Sequence, residues 1–197
     1  MKTKKVAASL PLMAGIILGA IGLTMPFLRA DHYIYVDATT RNSVDNYQFF
    51  FWGKYYTVAG SKAVLSKMVL YDFGDFPVYA MAAIILALVL AAASIFAGRG
   101  LVMSVKGKEL KLKLDINPIW FQIPAATLIA LSLVYMNEGI KLLGLVLEQN
   151  LYVVETGVAI DFLLGSVASL VIATIMTATR FLKERKQAQQ IKHVAQT

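Results

Sequence analysis

Four long apolar runs, at 6–28, 76–97, 118–136 and 158–179, constrain this chain more than any other feature. Each is close to the roughly 20 apolar residues that a helix needs to cross about 30 Å of hydrocarbon. They predict an all-α integral membrane protein: a four-transmembrane-helix bundle in one polytopic domain over 1–197. The first run begins after Lys2, Lys4 and Lys5 and resembles the start of an export signal. Its 23 residues exceed the 7–15 of a signal's apolar core. It is therefore read as a retained first helix.

Charge orients the bundle. With both termini, the middle loop (98–117) and the tail (180–197) on one side, that side holds 13 of the 19 basic residues against Glu109, Asp115 and Glu184. Basic flanks stay cytoplasmic. The termini are expected to face the cytoplasm across the plasma membrane, with 30–75 and 137–157 outside. The net charge of +7 then reflects topology and attraction to anionic lipid headgroups rather than a nucleic-acid partner.

The outer segments differ in length and pattern. Residues 32–39 and 47–58 are rich in β-branched and aromatic side chains around the polar 40–45, which reads as a hairpin. Gly53 suggests a bulge in its second strand. Residues 61–71 fit a short amphipathic helix. The third helix is expected to continue outward to about 149, followed by a short strand at 151–154 and a turn at Gly157. Added to the hairpin, that strand gives a small three-stranded extracytoplasmic β-cap. On the inner side, Leu and Lys alternate over 101–114 around Gly107, the pattern of a second hairpin. The tail 180–192 continues helix four.

Four helices, a larger first outer loop with strands, an extended third helix and one strand in the second loop together resemble the claudin/PMP22-like class. The likeness covers the layout of the whole chain. The class carries a Trp, a Gly-Leu-Trp and a cysteine pair in its first loop; this chain has Trp52-Gly53-Lys54 and no cysteine. The resemblance implies a non-catalytic structural or adhesion-like role.

Small residues predict close helix packing, within the bundle or against another subunit: Gly15, Gly19 and Gly22 in helix one, Ala83, Ala87 and Ala91 in helix two, and Gly165, Ser169 and Ala173 in helix four. The middles of the helices carry no charge. The candidate charged site therefore lies at the membrane edge, at Asp72, Asp75, Glu138, Lys141 and Asp161, with an Asp161–Lys141 pair or an ion site beside Asp75 in view. Asp161 also has a sufficient structural reason in the helix dipole. With no cysteine, histidine only at 32 and 193, and no phosphate loop or nucleophile elbow, no catalytic residue, cofactor or metal site is expected.

Two functions remain. The first is an accessory or structural subunit, touching other membrane proteins or its own copies through Phe49, Phe50, Phe51, Trp52, Tyr55 and Tyr56; the competing reading makes these rings cap core or a headgroup-level belt. The second is an oligomeric channel or transporter component, lined by Thr24, Thr127, Ser132, Ser169, Thr174 and Thr177.

Overall fold

A computed structural model describes residues 9–35, 41–58, 64–66, 76–97, 101–105, 108–112, 116–148 and 152–194. Four helices, α1 (Ser9–Thr24), α2 (Phe76–Phe96), α3 (Ile119–Glu148) and α4 (Ala159–Val194), pack side by side. Segments of α2, α3 and α4 are long and apolar enough to cross a membrane; α1 is a shorter apolar helix. At 1.5 Å per residue, the 21 residues of α2 rise about 32 Å and the 30 of α3 about 45 Å. The extension of the third helix to Glu148 is thus present, as is the continuation of the fourth.

One end of the bundle carries a five-stranded antiparallel sheet of β1 (Leu28–Tyr35), β2 (Arg41–Phe50), β3 (Gly53–Val58), β4 (Val64–Ser66) and β7 (Tyr152–Thr156), in the order β4-β3-β2-β1-β7. The strand from the second outer segment does join the hairpin, pairing Leu28 with Thr156 and His32 with Tyr152. Four expectations need correction. The sheet has five strands, because 47–58 is divided around a Phe51-Trp52 turn rather than forming one bulged strand and 64–66 adds another; residues 41–45, expected in the turn, belong to β2. Gly53 opens β3, and the register shift falls at His32/Tyr33 instead. Residues 64–66, expected in an amphipathic helix, pair with β3; the rest of 59–63 and 67–75 lies outside the described residues.

The first apolar run is also divided differently. Its helix stops at Thr24, where Pro26 cannot continue it, and Phe27 and Leu28 turn into the sheet: the Phe27 N–H donates to the Phe49 carbonyl (2.8 Å). At the other end of the bundle β5 (Leu101–Val105) and β6 (Lys108–Leu112) form the expected inner hairpin. There α3 starts on an Asn117 cap, whose Oδ1 accepts from the Ile119 N–H (3.1 Å). Pro118 stands at the first-turn position that tolerates a missing N–H.

The bundle's seams follow helical periodicity. On α2 the buried face is Phe76, Pro77, Ala80, Ile84, Ala87, Ala91 and Ser94. Ala87 and Ala91 lie in that seam, whereas Ala83 is half-buried one step around the helix. Gly15, Gly19 and Gly22 on α1 are all buried, and a Cβ there would lie 2.9 Å from Leu170 Cγ, 2.7 Å from Leu88 Cδ2 and 2.9 Å from Leu163 Cγ respectively. The backbone of α1 thus approaches α4 over about two turns, with Leu88 of α2 also against Gly19, a packing available to small residues alone. On α4 the buried row is Ala159, Leu163, Ser166, Leu170 and Ala173. Gly165, with Leu18 Cδ1 3.3 Å from a built Cβ, and Ser169 are half-buried beside it. The small residue at the centre of the row is Ser166. Its hydroxyl donates to the Gly15 carbonyl (2.6 Å), an interhelical bond of the kind worth about 0.6 kcal/mol in membrane helices.

Candidate functional site

The sheet is amphipathic, and its register decides which side chains reach the bundle. Residues directly opposite in antiparallel strands share a face. Leu28, Phe49 and Ala30 are fully buried on one face, with Tyr47 and Val154 partly buried beside them. Arg29, Val153 and Glu155 are exposed on the other, with Asp31 and Gln48 in the same rows. The buried face rests on helix ends and on the C-terminal part of α3, where Met136, Gly139, Ile140, Leu143 and Gly144 form one buried row. Val154 lies alongside Gly144. This explains the overrun of α3: it supplies the apolar floor that an antiparallel sheet needs on one side.

Between sheet and bundle sits an aromatic junction. The Phe27 ring lies 5.4 Å from Phe51, 6.0 Å from Phe76 in an edge-on contact, and 6.5 Å from Phe49. The face of the Phe76 ring covers Gly139 so closely that a Cβ at 139 would stand 2.5 Å from Cγ. Such tilted and edge-on pairs add about 0.5–1.5 kcal/mol each beyond area burial.

This arrangement revises the expected contact segment. Phe49 and Phe51 are 1% exposed and belong to the cap's own core, so they are withdrawn from the candidate surface. The strand alternation that turns them inward places Phe50 and Trp52 outward, with ring centroids 5.0 Å apart and Trp52 49% exposed. Tyr55 and Tyr56 occupy β3 opposite Gln48 and Tyr47.

The membrane-edge acids and lysine are dispersed. Lys141 Nζ bonds Glu138 Oε1 (2.8 Å) one turn away on the exposed face of α3, a pair worth about 0.3–0.5 kcal/mol. Lys141 therefore has its ion-pair partner on its own helix, and the Asp161–Lys141 pair is not formed. Asp161 is exposed in the first turn of α4, where a carboxylate favours the helix dipole. Asp72 and Asp75 lie outside the described residues. Among the described residues no group of three or more His, Cys, Asp or Glu is placed to hold a metal ion.

Three residues that organise this region escaped the sequence reading in that role. Phe27 lay inside an apolar run read as helix. Gly139 and Gly157 were glycines inside or beside helical patterns, and such glycines often mark close packing. Gly157 stands where α1's exit crosses α4's entry: its N–H donates to the Phe27 carbonyl (2.8 Å) and the Ala159 N–H to the Pro26 carbonyl (3.1 Å). No family model matches the chain, and no curated protein matches it either.

Proposed function

We propose that this chain is a four-pass plasma-membrane protein that acts without catalysis, as a structural, adhesion-like or accessory subunit. Its sheet faces outward and both termini are cytoplasmic. The layout of the claudin/PMP22-like class belongs to this reading. The observation that carries it is the sheet itself: both outer segments close into one amphipathic layer whose apolar face is sealed on the helix ends, leaving a mixed polar face turned away from the bundle. Arg29, Val153 and Glu155 on that face, with the neighbouring Gln48, replace the inward phenylalanines as the contact surface for another membrane protein or a second copy.

The channel reading is weaker on a specific ground. The hydroxyls of Thr24, Ser132, Thr174 and Thr177 donate to carbonyls of their own helices at 2.7–2.8 Å. At these four of the six lining candidates the hydroxyls offer water or ions acceptor lone pairs but no free donor.

Orientation has a direct check, because the chain's lack of cysteine gives a clean background. A cysteine at Glu155 is expected to react with a membrane-impermeant maleimide on intact cells, and one at Lys186 only after permeabilisation. The reverse pattern inverts the topology, and labelling of both on intact cells removes the span between them.

The functional test is purification in mild detergent from the native membrane. A stoichiometric membrane-protein partner is expected, and Val153→Arg is expected to reduce its recovery at least tenfold while the protein still elutes as one folded species. A lone homo-oligomer unaffected by Val153→Arg would overturn the accessory-subunit reading.

A further inference from the structure

The two tryptophans of the chain stand at opposite ends of its apolar bundle. Trp52 follows Phe51, whose ring touches Phe27, whose ring in turn touches Phe76, the first residue of α2. The β2–β3 turn is thereby level with the outer ends of α1 and α2. Unlike Phe51, Trp52 is 49% exposed and faces the periphery, its ring tilted against Phe50 at a centroid distance of 5.0 Å. Trp120 is the second residue of α3 and is 75% exposed.

The separation of the two levels is set by α3. Phe76 packs on Gly139, so Gly139 lies level with the outer end of α2. From Trp120 to Gly139 is 19 residues of continuous helix, a rise of about 28 Å. That matches the roughly 30 Å of a bilayer's hydrocarbon core. Indole rings favour the boundary between headgroups and acyl chains, where the ring is apolar and the N–H stays wet.

Resting on the reading of this chain as a membrane protein, we infer that the Phe50–Trp52 turn dips into the outer headgroup–acyl boundary of the bilayer while Trp120 occupies the inner one. The occupant of the exposed face of Trp52, with half-buried Phe50 beside it, is therefore lipid. The cap is pinned to the membrane at this corner as well as through its strand-to-helix connections. The outer turn of α3 and the polar sheet face stand clear of the hydrocarbon, and the surface left for a protein partner is that face rather than the aromatic turn.

Trp120→Phe leaves Trp52 as the sole indole, and Trp52→Phe leaves Trp120. Both substitutions keep an aromatic ring at an exposed position. Each full-length variant is reconstituted in phosphatidylcholine vesicles containing lipid brominated either near the top of the acyl chain or near its end. Both tryptophans are expected to be quenched at least about twofold more by the shallow bromines than by the deep ones. Shallow quenching of Trp120 with none of Trp52 would overturn the insertion of the turn and leave the membrane reading standing. Quenching of neither would overturn both. Stronger quenching of Trp52 by the deep bromines would overturn its placement at the boundary.

Discussion

Gly157→Ala is expected to be among the most damaging single-methyl changes this chain can suffer. The added Cβ would meet the Pro26 carbonyl oxygen and lie 2.6 Å from its carbon, with the Phe27 carbonyl carbon at 2.7 Å. These are backbone atoms, so no side-chain rotation relieves the clash. The two segments must separate, and separation breaks the Gly157–Phe27 and Ala159–Pro26 hydrogen bonds and loosens β7 from β1. Ordinary overpacking costs about 1–3 kcal/mol; here the upper end or more is expected, because backbone hydrogen bonds are lost with it. The measurement is thermal unfolding of the detergent-solubilised protein. A midpoint within a degree or two of the parent would show that strand and helix are not held at this crossing. Gly144→Ala is the matched control: a Cβ there reaches only Val154, at 4.0 Å, and should leave the midpoint unchanged or slightly raised, since a helix-interior Gly costs about 0.5–1 kcal/mol against Ala.

Phe27→Ala is expected to follow closely, at about 3–5 kcal/mol for removing a fully buried aromatic ring. Phe27 is 0% exposed and is the ring that joins the sheet's core residues Phe49 and Phe51 to Phe76 of α2. Its loss leaves a cavity between layers, so its signature differs from that of a helix-seam defect. The sheet should loosen while the bundle stays assembled. Limited proteolysis should then cut within the outer segment at protease levels the parent resists, with helix content by circular dichroism largely retained. Phe50→Ala, on the outward face of the same hairpin, should leave proteolysis unchanged. Equal sensitivity of the two variants would contradict the inward–outward alternation.

These two residues also show where sequence reasoning met its limit. Length and apolarity set α2 and the starts of α3 and α4 to within a residue or so, because those signals are local and strong. The same signals misjudged the end of α1: Phe27 and Leu28 are as apolar as any helix residue, and composition does not distinguish burial in a membrane span from burial beneath a sheet. Phe49, Phe51, Phe50 and Trp52 are equally aromatic in the sequence. Only the turn at 51–52 sets the phase of alternation, and a one-residue slip would exchange inside for outside. The small-residue spacing on α1 marked a close-packed face, and the structure shows that α4 is its main neighbour. On α4, Ser166 and not Ser169 lies in the buried row, a step of three residues that periodicity alone does not choose between.

The apolar runs and the β-prone segments between them were written in the chain itself: helices of membrane-crossing length, strands from the two segments that form the sheet and a hairpin between α2 and α3. Such features depend on neighbouring residues along one stretch of chain. Which face of each element is buried was decided by contacts between residues far apart in sequence: Gly157 with Pro26, Gly139 with Phe76, Ser166 with Gly15. A crossing or a seam has no local signature beyond a small residue, since the partner that requires the smallness lies on another element. The same holds for the aromatic segment. Its chemistry was legible residue by residue, but whether a ring faces the core or lies outward at the periphery follows from strand register and from the height of the turn against the helix ends.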